Sequence, residues 1–281
     1  MKQRSLLLSV FAVLAAPILW GAAVPYTMQC RTKVIRGGSV AYENRTYSYN
    51  FIVEVISDTT GKKAESSKWG KPFVAAVPDE RYSIRLHNPL PVRAAVNLTV
   101  DGLSSVNGTP VSAKDGKKWI IAPNSYITIR GWQVSGSEAR RFVFTDKETS
   151  YAAWRANAWG KDLSVNCGVI GAAYFWSKQD MEDWFEKHPV VEEVIVADKD
   201  MLTKSSKAPS AKAEAATRTA GTGMGEKEDH RVTVVAFNYD MGMYQTREAV
   251  IIYYDFPPSP PRPSPFTDGY SPEMPSTPRT K

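Results

Sequence analysis

Between Tyr82 and Asp101 the chain alternates apolar and polar positions twice. Tyr82, Ile84 and Leu86 fall on one face against Ser83, Arg85 and His87, and Ala94, Val96, Leu98 and Val100 fall opposite Ala95, Asn97 and Thr99. Period two over this length predicts antiparallel strands with one buried and one wet face. The intervening Asn88-Pro89-Leu90-Pro91 cannot continue a strand, because each proline withholds a donor and fixes φ. The two arms are therefore expected to form a hairpin at the centre of an all-β domain.

Other stretches carry the same signature. Tyr47 to Ile56, Phe73 to Val77, Trp119 to Ile121, Tyr126 to Arg130, Arg141 to Phe144, Val165 to Phe175, Val190 to Val196, Val232 to Phe237 and Ala249 to Tyr254 are rich in β-branched and aromatic residues. Turn dipeptides separate them: Pro78-Asp79, Asp101-Gly102, Asn107-Gly108 and Pro123-Asn124. Ala122-Pro123-Asn124-Ser125 predicts a second hairpin. Gly168 and Gly171 mark a bulge or a close approach of backbones.

One helix interrupts this pattern. Ser177 is positioned to cap it, Asp180 follows three residues on, Met181, Trp184, Phe185 and His188 share a face, and Pro189 ends it. That face docks on the chain's own sheet or meets a neighbour, with the first reading preferred. The expected architecture is an all-β, antiparallel β-sandwich with one short inserted helix, since no crossover helices are available for a parallel sheet.

Composition sets the domain plan. With 281 residues, 43% of them hydrophobic, the chain is long enough for one sizeable core. Lys2 and Arg4 precede an apolar run from Ser5 to Leu19, and Gly21-Ala22-Ala23 supplies small residues for cleavage after Ala22 or Ala23. Residues 1–23 thus read as a signal peptide, 24–256 as the sandwich with an insertion at 176–220, and 257–281 as a Pro-rich disordered tail. An uncleaved anchor is the competing reading, disfavoured by the short run and by Pro17. The expected location is extracytoplasmic, periplasmic or secreted. There Cys30 and Cys167 either form a disulfide or remain separate thiols. The net charge of +6 is dispersed, and partly confined to the Lys-rich stretch 199–218, so no basic face for nucleic acid is expected.

A resemblance joins this reading. The stretch Gly131-Trp132 to Thr145-Asp146, running on to Ser150-Tyr151-Ala152-Ala153, resembles a family of exported bacterial proteins of unknown function. The 82–102 arms, Gly168-Val169-Ile170-Gly171 and Gly221-Thr222-Gly223-Met224-Gly225-Glu226 are similar to further blocks of that family in consistent order. The resemblance implies a secreted or periplasmic β-rich domain and assigns no activity. Trp176 to about Ala220, and the proline tail, stand outside its pattern.

Chemistry is sparse. Gly221 to Lys227 lacks the Gly-Lys-Ser/Thr ending and the following helix of a phosphate loop, so no nucleotide and no cofactor is expected. Cys30 and Cys167 do not make a zinc site, and His87, His188 and His230 show no ligand spacing to them. His87 falls on a polar strand face and reads as a surface or pairing residue. No serine sits in a nucleophile motif. Asp101 and Asp146, with Glu148, are the carboxylates a glycosidase could use, although each is explained by a turn or a solvated loop. Tyr151, Trp154, Trp159, Trp176 and Trp184 form the candidate binding set: they either roof the core, as large aromatics usually do, or offer flat rings to a glycan or an envelope protein. In the tail, Pro257, Pro260 and Arg262 fit either a polyproline ligand or a stiff spacer. Three Asn-x-Ser/Thr sequons, at Asn44, Asn97 and Asn107, matter only in a glycosylating pathway. The expectation is a non-catalytic binding or envelope-structural module, with a carbohydrate-active protein as the alternative.

Overall fold

The two alternating arms become strands, but they do not pair with each other. The structure is a computed structural model and describes residues 37–68, 70–160, 163–189, 218–242 and 249–257. The strands are β1 (Gly37–Tyr42), β2 (Arg45–Asn50), β3 (Val53–Ser57), β4 (Gly61–Lys62), β5 (Glu65–Lys68), β6 (Lys71–Ala75), β7 (Arg81–Asn88), β8 (Ala94–Val100) and β9 (Leu103–Ser104). They continue with β10 (Trp119–Ile121), β11 (Ser125–Ile129), β12 (Gly131–Gln133), β13 (Glu138–Asp146), β14 (Val169–Trp176), β15 (Ala220–Asp229), β16 (Met241–Gly242) and β17 (Val250–Asp255). Two α-helices, α1 (Tyr151–Trp159) and α2 (Lys178–Lys187), and two short 3-10 turns, Lys147–Thr149 and Ser164–Asn166, complete the described elements.

The strands form two sheets of a β-sandwich and a separate β1–β2 hairpin. One sheet runs β10-β8-β14-β17-β6-β5, with β9 beside β8 and β16 beside β14. The other centres on β7, which pairs with β3, with β11 and with β13, while β13 also holds β12 and β15. Pairing is antiparallel except for β17 against β6, so the expected all-antiparallel sheet is corrected at that one contact.

The β7–β8 hairpin is also corrected. β7 belongs to one sheet and β8 to the other, so residues 89–93 cross the sandwich as an arch. The 122–124 turn does the same, carrying the chain from β10 beside β8 to β11 beside β7. Buried Asn88 ties the two arches together. Its Nδ2 donates to the carbonyls of Val92 (2.8 Å), Ala122 (2.9 Å) and Ile121 (3.3 Å), and its Oδ1 accepts from Leu90 N–H (3.0 Å). Leu90 N–H is thereby satisfied, its carbonyl accepts from Asn124 N–H, and its side chain enters the core. Alternation is identical for a hairpin and an arch, since both bury one face; only the partner strand distinguishes them.

The inner faces supply the core: Tyr82, Ile84 and Leu86 of β7, Val96, Leu98 and Val100 of β8, Phe142 and Phe144 of β13, and Ile170, Tyr174 and Tyr254 across β14 and β17. Phe51 breaks the expected 47–56 strand into β2 and β3, because its ring turns inward to stack on Tyr174 at 4.0 Å. The far face of β8 is not wet as expected. Ala95, Ala173 and Phe175 lie under Ala113, Ile120, Phe237 and Tyr239, so all of β8 is buried.

A second helix, beyond the one expected, follows β13. Ser150 caps α1 by accepting from Ala153 N–H at 3.1 Å, alanines fill its interior, and a left-handed Gly160 closes it. The predicted helix is α2, capped by Ser177 through Asp180 N–H at 3.0 Å. Its apolar face docks within the chain: Phe185 stacks on Tyr42 at 5.6 Å, and Trp184 meets Tyr47 edge-on at 5.3 Å. Val232 to Phe237, expected as a strand, joins no sheet among the described residues. The signal peptide, Cys30, the 190–196 strand and the tail from 258 onward lie outside the described residues.

Asn88→Ala is expected to lower unfolding stability by about 3 kcal/mol in urea titration, since it orphans buried carbonyls in two arches. Asn50→Ala, at an exposed strand end, is expected to stay within about 0.5 kcal/mol.

Candidate binding surfaces and the buried carboxylate

The Asp101-Gly102 turn takes left-handed backbone at both residues, φ 51° and 77°. This turns the Asp101 side chain inward rather than to solvent. Its Oδ1 accepts from Tyr254 OH (2.6 Å) and Gly168 N–H (2.9 Å), and its Oδ2 accepts from Thr222 N–H (2.6 Å). Thr222 Oγ1 lies 2.6 Å from both Tyr254 OH and Tyr82 OH, extending the network into the opposite sheet. Asp101, Tyr82, Thr222 and Tyr254 are all fully buried. Burial pushes the Asp101 carboxyl up to about 6, a rise its donors hold back. The hydroxyls of Tyr82 and Tyr254 are driven well above their ordinary range by burial and by the adjacent Asp101 charge.

Glycoside hydrolysis would need Asp101 at a surface, and its oxygens face only donors of the core. Asp146, its proposed companion, is exposed at the end of β13. The two carboxylates do not open onto one solvent-facing site.

The candidate aromatics separate into two groups. Tyr151, Trp154 and Trp159 share α1, which sits against β15 because Gly221 lets Ser150 approach; a Cβ there would lie 2.6 Å from Ser150 Cβ. Tyr151 is rooted in the core against Trp132 at 4.9 Å. Arg155 Nε donates to Tyr151 OH at 2.8 Å, and its guanidinium lies over Tyr151 (5.2 Å), Trp154 (5.4 Å) and Trp159 (4.6 Å). Trp154 stacks on Tyr151 with centroids 5.6 Å apart and remains 60% exposed. Trp159 is half-buried against the core.

Trp176 and Trp184 lie elsewhere. Trp176 is corrected from a surface candidate to a core residue: it ends β14, packs on Tyr49 (5.4 Å) and Phe51 (5.9 Å), and is 2% exposed. A central strand with both faces covered leaves its terminal ring no route to solvent. Trp184 is a docking residue of α2, sandwiched between Tyr47 and His188. Arg45 reinforces this joint, donating to the Phe185 carbonyl and lying over the Phe185 ring at 5.1 Å.

A third surface was missed by the sequence reading. On the outer face of the β3–β7–β11 sheet, Glu54 meets Lys62 (2.6 Å) and His87 Nε2 (3.0 Å), and Arg85 lies over the ring of Tyr126 at 4.9 Å. Burial tends to raise Glu54, and its bonds to Lys62 and His87 outweigh this and bring it below the usual carboxylate range. Tyr126 is 55% exposed. The signal was present in the polar phase of β7, which placed Arg85 and His87 together, but the pairing of β11 that adds Tyr126 is a tertiary fact. His87 is thus a pairing residue, as expected.

A cavity of about 300 Å³ opens near Asp58, Asp79, Glu80, Arg81 and Glu226. Most of its charges are already paired: Asp58 with Arg141, Glu80 with Lys63 and Glu226 with Arg81. Gly221 to Lys227, weighed as a phosphate loop, is the first part of β15 and pairs with β13. Cys167 is buried, with its thiol pushed up to about 12 chiefly by burial; Cys30, its proposed disulfide partner, is outside the described residues. Among the described residues no group of His, Cys, Asp and Glu could hold a metal ion, and no helix is long and apolar enough to cross a membrane.

No family model, curated protein or solved structure matches this chain.

Asp101 predicts an unusual pH dependence. Its folded value lies above the ordinary 3.8, so the stability linked to its protonation is fully present below about 3.8 and lost as pH rises through about 6. Asp101→Asn keeps the shape but aims an amide at Thr222 N–H or at the other donors, and is expected to cost about 2 kcal/mol at pH 7. The gap between wild type and variant is expected to widen by about 2 kcal/mol on going to pH 4.5, measured by urea titration at each pH.

Proposed function

We propose that this chain is an exported, non-catalytic binding module of the cell envelope, and that its contact surface is the outer side of α1. One observation carries the reading: Trp154 is 60% exposed yet held in place between Tyr151 and Arg155. A large ring left in water forgoes the burial that normally draws it inside. Fixing it on a core-rooted tyrosine and an arginine clamp removes most of the ordering cost of engaging a partner, which is how aromatic anchors reach high binding energy. Export is supported by the charged and apolar N-terminal run and by the resemblance of the 131–153 and 221–226 blocks to exported bacterial proteins.

A glycan is the second reading, favoured by Tyr126. Its exposed ring lies between Arg85 and His87 on the outer sheet face, offering a stacking surface with donors and an acceptor beside it. The readings assign the ligand to different surfaces, so they separate by mutation.

The test is capture from envelope extract by the mature protein, with proteins and glycans read separately. Trp154→Ala is expected to weaken capture of a protein partner by roughly thirtyfold, a loss of about 2 kcal/mol, with an unchanged melting temperature. Capture of a glycan that survives Trp154→Ala and fails in Tyr126→Ala moves the site to the sheet face. Capture unchanged by either substitution removes both surfaces from the function.

A further inference from the structure

Arg155 is fixed in place yet unmatched in charge. Its Nε donates to Tyr151 OH at 2.8 Å, and its guanidinium lies over the rings of Tyr151, Trp154 and Trp159 at 5.2, 5.4 and 4.6 Å. Tyr151 is held in turn. Its ring meets Trp132 at 4.9 Å, and its hydroxyl abuts Gly108, where a Cβ would lie 2.5 Å away. The guanidinium is thus anchored to the core through a tyrosine rather than through an acid.

Arginines on the sheets are neutralised differently. Arg81, Arg85, Arg130, Arg140 and Arg141 each have a carboxylate within 3.6 Å. Arg155 has no carboxylate partner among the described residues, and no Asp or Glu occurs in sequence between Glu148 and Asp162. With Nε spent on Tyr151, Nη1 and Nη2 form the open edge of the fork. A planar pair of oxygens fits that edge end-on, through two parallel charge-assisted hydrogen bonds.

We propose that Arg155 takes an Asp or Glu side chain of a protein partner on this edge, with the apolar residues flanking that acid laid on Trp154. This rests on α1 being the contact surface. Charge selects the acid: α1 carries one cation and no anion, which matches a carboxylate and leaves a phosphate dianion half-neutralised. Position excludes a chain terminus, because Arg155 lies mid-helix, where main-chain N–H groups are already bonded and form no nest for a C-terminal carboxylate. Surface chemistry disfavours a sugar acid. Around the rings the helix presents Ala153, Ala156, Ala158 and Asn157, too few polar groups to meet a row of hydroxyls and well suited to apolar side chains. Since the guanidinium is 5.4 Å from the Trp154 centroid, the acid and its apolar neighbour come from one short segment. An arginine ordered before its partner arrives loses little entropy on binding.

The test titrates the mature protein with the peptide Ac-Leu-Glu-Leu-NH2, with its counterparts carrying Gln or phosphoserine at the centre, and with a galacturonate trisaccharide, reading the Trp154 indole signal by NMR. The Glu peptide is expected to bind about tenfold tighter than the Gln peptide. Arg155→Gln is expected to erase that preference, and Arg155→Lys to restore only part of it, since an ammonium is a point charge without the planar fork. The preference is the readout, because loss of a merely structural arginine weakens both peptides equally. Equal binding of the Glu and Gln peptides by wild type, with both weakened in Trp154→Ala, overturns the carboxylate and leaves α1 as the contact surface. Tighter binding of the phosphoserine peptide or of the galacturonate overturns it in favour of that anion. Absence of binding by every probe up to about 10 mM, or binding indifferent to Trp154→Ala, overturns the contact surface and the inference with it.

Discussion

The structure hangs on a carboxylate that no water reaches. Asp101 sits at the end of β8 in one sheet, and its donors come from the start of β14, from β17 and, through Thr222, from β15 in the opposite sheet. Burying such a charge is costly unless every lone pair is met, and a half-met network is worse than an apolar one. Three donors at 2.6–2.9 Å, two of them main-chain, make this site tolerable. Tyr82 closes the far end, so one hydrogen-bonded chain spans the interior between stacked rings of Phe142 and Phe144. Apolar packing holds the sheets together without direction; this network specifies how they align.

Asn88 performs the corresponding task at another margin of the sandwich. An arch brings main-chain carbonyls to the interior that neither sheet can pair, and a buried amide with two donors and an acceptor serves both arches at once. Around these polar ties the aromatics divide by depth. Trp132, Trp176, Tyr174 and Phe51 fill the interior, Trp184 and Phe185 weld α2 to the β1–β2 hairpin, and Trp154 and Tyr126 remain outside. The last two are the rings whose exposure has no explanation in stability, which is why binding is read from them.

Much of the architecture was legible along the chain. Period-two alternation marked β7 and β8, runs of β-branched and aromatic residues marked β3, β6, β10, β11, β13, β14 and β17 but not the glycine-rich β15, and Ser177, Asp180 and Pro189 bounded α2 within a residue. The helix α1 carries signals of the same kind, with Ser150 before it, Gly160 after it and alanines between, alongside three aromatics that read equally as a binding set. The site was less legible. Trp154 and Trp176 look alike in sequence, and only the burial of β14 on both faces separates a surface ring from a core ring. Arg85, His87 and Tyr126 come from strands forty residues apart and become neighbours through the β7–β11 register alone.

By itself the sequence determined most of the strands, the caps of α2 and where prolines and glycines would turn the chain, because these depend on local sterics and on the period of apolar positions. Tertiary structure decided which strands pair, that the Pro89 and Pro123 turns are arches between sheets, that one pair is parallel, and that Asp101 points inward. Those outcomes depend on long-range hydrogen-bond partners. A turn dipeptide has the same local conformation whether its carboxylate faces water or Tyr254, and the difference in free energy between the two arises only when the sheets close.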